Sequence, residues 1–270
     1  MKNLFTTLIF SLITSYAYAQ IDIIHPPNWW VGFETQNLQL LVKGNNISEY
    51  EVGIEYPGVD IKKIHKADSP NYLFIDLQIS NSTLPGTFKI EFNKGQKKLA
   101  HNYKIDKRRN LSQQNEGFDS SDVIYLITPD RFANGDYSND IINGLKENKI
   151  NRKDNYARHG GDIIGVTQNM DYVKEMGFTS IWLNPVLIND MKEGSYHGYA
   201  TTDYYTTDPR FGSMDDYLEF SEKASQNGIK LIKDIIVNHC GLYHWWMDDL
   251  PFNDWLNFQE IYLKSNDETI

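Results

Sequence analysis

Leu231-Ile232-Lys233-Asp234-Ile235-Ile236-Val237-Asn238-His239 is an apolar, largely β-branched run that stops on polar side chains. A run of this kind is expected to form a buried strand reaching Val237. In parallel α/β proteins ligands gather at the carboxyl ends of strands, where Asp234, Asn238 and His239 would project. A core strand closing in an ordinary polar turn would read the same, so its neighbours must decide between the two.

Upstream, a strand is expected over Val123 to Thr128 and a second over Thr179 to Leu183. Between them Val166, Met170, Val173 and Met176 recur at helical spacing and stop at Gly177, a suitable C-terminal cap. Ser213 with Asp216 makes a capping box, opening a helix through Leu218 and Ala224 that closes at Gly228. Strand, helix, strand, helix, strand is the signature of parallel β/α units. An eight-stranded β/α barrel takes roughly 250 residues. Segment 118–270 therefore reads as a small open sheet or as an incomplete barrel, the first three strands of a TIM-type fold.

Segment 20–107 has a different period. Leu38 to Val42, Tyr50 to Ile54, Tyr72 to Leu77, Thr87 to Phe92 and Ala100 to Ile105 are short strand-like runs between Gly, Pro and Asn turns. Their spacing predicts a small antiparallel β-sandwich ahead of the β/α segment. The polar stretch 108–117 reads as a linker.

Residues 1–19 combine Lys2, an apolar run from Leu4 to Ile13, and Ala17-Tyr18-Ala19 before Gln20. This is the pattern of a secretory signal peptide, too short for a good membrane span. The one cysteine, Cys240, permits no disulfide framework, and no cysteine follows the cleavage site to take a lipid. The expectation is an exported periplasmic protein without a membrane anchor, with release into the medium as the alternative. A net charge of -10 argues against nucleic acid or an anionic membrane as partner. The 6 Trp, 17 Tyr and 13 Phe suit the apolar faces of sugar rings and equally suit a packed core.

Several motifs, taken in order, carry a resemblance. They are Tyr125 with Pro129-Asp130-Arg131-Phe132, His197-Gly198-Tyr199, Asp203-Tyr204-Tyr205, Asp208-Pro209-x-Phe211-Gly212 and Asp234 through His239. Together they resemble the first half of an α-amylase superfamily (glycoside hydrolase family 13) barrel. Pro26-Pro27-Asn28-Trp29-Trp30-Val31-Gly32 resembles the amino-terminal domain of the cyclomaltodextrinase and neopullulanase branch. His244-Trp245-Trp246-Met247 with Leu250-Pro251 resembles the excursion after the third strand in neopullulanases of the periplasmic starch-utilisation type.

The resemblance implies an α-glucan hydrolase acting on maltodextrins, cyclodextrins or pullulan by a retaining mechanism. It implies sugar contacts from Asp234, His239, Tyr199 and His197, and a structural role for Asn238. A calcium site is implied at Asn134, Asp136, Asn139, Asp140, Gly160 and Asp162; calcium takes six to eight oxygen ligands, although an Asx-rich turn would have the same composition. It also implies that the nucleophilic Asp, the acid Glu and a supporting Asp lie beyond residue 270, so no catalytic carboxylate is assigned here and the isolated chain is expected to be inactive. Possible homodimerisation of the intact parent is implied as well. Two other readings stay open: a non-catalytic glucan-binding module using Trp29, Trp30, Tyr199, Trp245 and Trp246, and a transglycosylase on the same scaffold.

Overall fold

The computed structural model describes residues 20–108, 117–259 and 261. The stretch 1–19, expected to be a signal peptide, and most of the expected linker 108–117 lie outside these residues. The chain divides into two compact units, Met1–Arg108 and Arg109–Ile270.

The first unit packs two four-stranded sheets face to face. One has β1 (Ile21–His25), β3 (Asn37–Gly44), β6 (Tyr72–Ile79) and β5 (Val59–Lys66) in the order β1-β3-β6-β5. The other runs β2 (Asn28–Val31), β8 (Lys97–Lys107), β7 (Gly86–Lys94), β4 (Glu51–Ile54). Alternation sets the inner faces: Leu38, Leu40 and Val42 from β3 and Phe88, Ile90 and Phe92 from β7 all enter one core. The sandwich matches the sequence expectation with one correction, since β2 pairs with β8 in parallel. That pairing gives β2 a place at the edge of its sheet without a hairpin.

In the second unit β9 (Ile124–Ile127), β10 (Ser180–Leu183) and β11 (Lys230–Lys233) form a parallel sheet with β10 in the middle. Helices α2 (Ile163–Gln168), α3 (Met170–Glu175) and α4 (Met214–Gln226) supply the crossovers. A short α1 (Pro129–Phe132) follows β9. Val166, Met170, Val173, Phe220 and Ala224 share a buried cluster with Ile127, Ile181 and Leu183. Tyr125 stacks on Phe178 at 4.4 Å. The order is that of the opening units of a β/α barrel.

Two details differ from the sequence reading. The helix expected from Val166 to Met176 is two short helices meeting at Asn169, whose side-chain amide donates to the Gly165 carbonyl at 2.8 Å. A side chain that takes the carbonyl one turn back competes with the helical ladder. The last strand stops at Lys233, with Ile235 and Val237 50% and 87% exposed. Lys233 pairs with Leu183 in the final register, and Asn184-Pro185 follows on the neighbour. Proline has no N–H to offer a ladder, so the apolar run outlasts its partner.

Aspartate 208 and Arg210 show why the Asp208-Pro209-x-Phe211-Gly212 motif sits where it does. Both side chains are fully buried and paired twice, Nε to Oδ1 at 2.9 Å and Nη2 to Oδ2 at 2.7 Å. Burial alone would raise the Asp208 carboxyl, but Arg210 and Arg158 hold it below its usual range. Arg210 also donates to the carbonyls of Glu147 and Asn189. The motif is thus an internal brace joining the connection after β9 to the connection after β10 at the carboxyl end of the sheet.

Candidate functional site

Three loops meet beyond the carboxyl ends of β9, β10 and β11. The first candidate feature is the turn His197-Gly198-Tyr199. Gly198 has φ +79°, and a Cβ there would lie 1.9 Å from the Pro185 carbonyl oxygen. Only glycine fits this conformation and this approach. The turn is pinned further by Asn184, whose amide donates to the His197 carbonyl at 3.3 Å, and by the Tyr199 N–H donating to His197 Nδ1 at 2.9 Å. Accepting through Nδ1 places the ring proton of neutral His197 on Nε2. The rings of His197 and Tyr199 stack with centroids 5.8 Å apart.

Tyr199 carries the turn to the last strand. Its hydroxyl donates to Asp234 Oδ2 at 3.1 Å. His239 Nε2 lies 3.0 Å from the Tyr199 carbonyl oxygen, to which it donates, and the carbonyl of His239 accepts from the Tyr204 hydroxyl at 2.6 Å. The structure therefore brings Tyr199, His197, Asp234 and His239 together. Asn238 is exposed and contacts His239 Nδ1 at 3.3 Å, as a neighbour of this set. Burial, then the Asp234 charge, pushes the Tyr199 phenol up, so it stays a neutral donor near pH 7. Burial pushes His197 down, keeping its imidazole neutral there, with Glu147 opposing.

A cavity of about 640 Å³ lies beside His239, lined by Tyr204, Cys240, Trp246, Met247 and Trp255 among others. The His244 ring packs against Trp246 at a tilt of 41° with centroids 4.3 Å apart, and Trp246 meets Trp255 edge-on at 5.3 Å. Burial pushes the Cys240 thiol up, away from the reactive thiolate. Neutral rings, neutral hydroxyl donors and one carboxylate suit a polyhydroxylated ligand with an apolar face.

The second feature is the loop after β9. Asp162 is fully buried and caps α2 by accepting from the Gly165 N–H at 2.6 Å, while its carboxylate also accepts from the N–H groups of Gly135 and Asp136. Asn134 donates to Asp140 Oδ1 at 2.6 Å, and a Cβ on Gly160 would lie 2.6 Å from that same oxygen. The six expected residues thus lie in two abutting loop segments. The Ser138 hydroxyl, and then its N–H at 2.8 Å, donate to the Asp136 carboxylate and hold its pKa below the usual range. Asn134 Oδ1 and Asn139 Oδ1 are buried acceptors that no donor among the described residues satisfies. Unsatisfied buried amide oxygens are costly unless something positive meets them, so the donor set fits a hard cation. Among the described residues no group of three or more His, Cys, Asp or Glu gathers, which makes this cluster one of amide and backbone oxygens as much as of carboxylates.

Trp182, Asn184 and Tyr204 escaped sequence reasoning as members of the site. Trp182 lay hidden inside a strand pattern, where an aromatic side chain reads as packing and only the strand register shows which face it takes.

Comparison with known proteins places these observations. Residues 126–266 match the family model described as alpha amylase, catalytic domain. Residues 23–109 match the model described as cyclomaltodextrinase, N-terminal. A cyclomaltodextrinase of Thermoanaerobacter pseudethanolicus is 37% identical over 151 residues, covering 53% of this chain and 25% of the relative. Neopullulanase 2 of Thermoactinomyces vulgaris is 38% identical over 119 residues, covering 44% and 20%. The crystal structure of an Anoxybacillus α-amylase shares 41% identity and a TM-score of 0.43, covering 47% of this chain and 26% of that one. The chain spans a fifth to a quarter of the length of these two curated relatives.

Proposed function

Because this chain belongs to the α-amylase family, matching its catalytic-domain model over 126–266 behind an amino-terminal cyclomaltodextrinase domain, we propose that it forms part of an α-glucan hydrolase. The substrates are maltooligosaccharides or cyclodextrins, cleaved with retention of configuration. One observation carries the reading: Tyr199, Asp234 and His239 come from two loops 35 or more residues apart in sequence and are joined through hydrogen bonds at one end of the sheet. In this reading Tyr199 lays its ring against a sugar face and Asp234 accepts from a sugar hydroxyl. His197 buttresses the Tyr199 ring. His239 locks the Tyr199 backbone and offers its edge to the same sugar. No residue up to 270 is assigned as nucleophile or general acid, since a retaining glycosidase needs two carboxyl groups about 5–5.5 Å apart across the scissile bond, and Asp234 is engaged by the Tyr199 hydroxyl and the Trp182 indole N–H.

The loop site is assigned to calcium. Asn134, Asn139, Asp140 and Asp162, with backbone oxygen from the Gly160 segment, would hold it; Asp136 contributes by shaping the loop. When bound, calcium supplies a fixed positive charge that ties the β9 loop to the segment before α2. The basic start, apolar run and Ala17-Tyr18-Ala19 of residues 1–19 support export to the periplasm as part of this reading; among the described residues no helix is long and apolar enough to cross a membrane.

The test is maltotriose and β-cyclodextrin titration of the full-length protein, with Tyr199→Ala and Asp234→Asn alongside, and proton NMR of the first anomer released. Binding abolished in both variants and an α-anomeric product support the reading. Unchanged binding in both variants overturns the site, and a β-anomeric first product overturns the retaining mechanism. Binding without any turnover by the intact parent protein, of which this chain is read as part, would make it a glucan-binding module instead.

A further inference from the structure

The indole of Trp182 makes a contact that the sugar reading leaves without a role. β10 is the middle strand of its sheet, and alternate side chains take opposite faces. Ile181 and Leu183 are buried with the helices, whereas Trp182 stands on the other face, level in register with Leu126 and Ile232. Its Nε1–H donates to Asp234 Oδ2 at 3.1 Å. The Tyr199 hydroxyl donates to that same oxygen, also at 3.1 Å.

Asp234 sits one residue past the last ladder pair, Leu183 with Lys233, where strand pairing no longer fixes the backbone. A carboxylate there is free to swing unless a donor holds it. Two donors compete for the task and differ in kind. Tyr199 belongs to a loop, so its hydroxyl moves with that loop. Trp182 belongs to a strand paired on both sides, and an indole N–H donates only and does not ionise near neutral pH. The rigid, permanent donor is therefore the indole. With both donors on Oδ2, the other oxygen has no donor among the described residues and is left for a ligand.

We infer that Trp182 is a positioning residue: it holds the Asp234 carboxylate against the Tyr199 hydroxyl and turns Oδ1 toward the incoming hydroxyl of the sugar. The inference rests on the α-glucan reading only for the identity of that ligand; the Trp182, Asp234 and Tyr199 arrangement is tested without it.

The experiment uses the full-length protein with [13Cζ]-tyrosine, the Tyr199 signal being assigned by its loss in Tyr199→Phe. Trp182→Phe keeps a ring and removes the N–H; incorporation of 3-benzothienylalanine at position 182 removes only the N–H and serves if the phenylalanine variant folds poorly. In both, Tyr199 is expected to ionise at lower pH than in the wild type, moving toward its behaviour in Asp234→Asn. A tryptophan that merely fills space would leave it unmoved. Maltotriose affinity should fall about tenfold, as for loss of one charge-assisted hydrogen bond. In any active form the loss should appear in KM more than in kcat. An unshifted Tyr199 in the benzothienyl variant overturns the inference. A shifted Tyr199 with wild-type protein that binds no maltotriose upholds the positioning role and overturns the sugar reading alone.

Discussion

Replacing Gly198 by alanine should break the site from a position that touches no ligand. The native φ of +79° costs an L-residue about 1–2 kcal/mol. The new Cβ would stand 1.9 Å from the Pro185 carbonyl oxygen, so turn and strand must part by about 1 Å before even a tight contact is reached. Overpacking of that size adds about 1–3 kcal/mol, for a total near 3 kcal/mol. In a unit of this size each kcal/mol is worth about 2–4 °C, predicting a fall in Tm of about 6–12 °C. The same displacement would carry the Tyr199 hydroxyl from 3.1 Å to about 4 Å from Asp234, beyond hydrogen-bond reach. Gly177→Ala is the control, since Gly177 has φ +85° but open space where its Cβ would go, and should lose only the conformational part, about 1–2 kcal/mol. Thermal unfolding by near-UV circular dichroism, with maltotriose titration, separates the two. Equal losses of Tm in the two variants would refute the packing argument, and unimpaired sugar binding in the Gly198 variant would refute the claim that this turn sets Tyr199.

Other expectations concern different parts of the molecule. The Lys230 ammonium, with the Thr179 hydroxyl, holds Asp122 at about 2, well below its ordinary 3.8, so the charged form stabilises the fold above pH 4 and that contribution disappears as pH falls toward 2. Asp122→Asn should flatten the acid limb of the urea midpoint plotted against pH, and an unchanged limb would discount the pairing. Ser213→Ala removes one arm of the capping box on α4 and should cost about 1 kcal/mol, measured as a shift in urea midpoint without change in slope. If calcium fills the loop site, chelation by EGTA should lower Tm by removing about 2.7 kcal/mol of stability for calcium at a hundredfold excess over its Kd. Asn139→Leu should abolish that sensitivity, and a wild type indifferent to EGTA would dismiss calcium.

Much of the architecture could be read from the chain because its signals were local. The Ser213 and Asp216 pair predicts a helix start, and both reciprocal hydrogen bonds are present. The sandwich strands show through because Gly and Pro punctuate them. β5 was missed for a physical reason: Val59–Lys66 is an edge strand rich in lysine with an irregular register between Ile61 and Lys63, so its alternation is blurred. The end of β11 was misjudged because a strand needs a partner, and the partner's proline cannot be felt from residues 234–237. At the site, Tyr199, Asp234 and His239 could be singled out by motif, but their convergence depends on a turn geometry fixed by Pro185, some 13 residues upstream in sequence. Trp182 was invisible because a tryptophan in a strand ordinarily means packing; only the register shows that it faces away from the helices.

Asp162 is at once the cap of α2 and the anchor of the backbone at Gly135 and Asp136. One carboxylate thereby makes two neighbouring segments mechanically dependent. The β9 loop cannot lift away while the first turn of the helix remains intact, and the helix cannot slide along the sheet without dragging the loop after it. The entrance loop therefore inherits the rigidity of the layer beneath it.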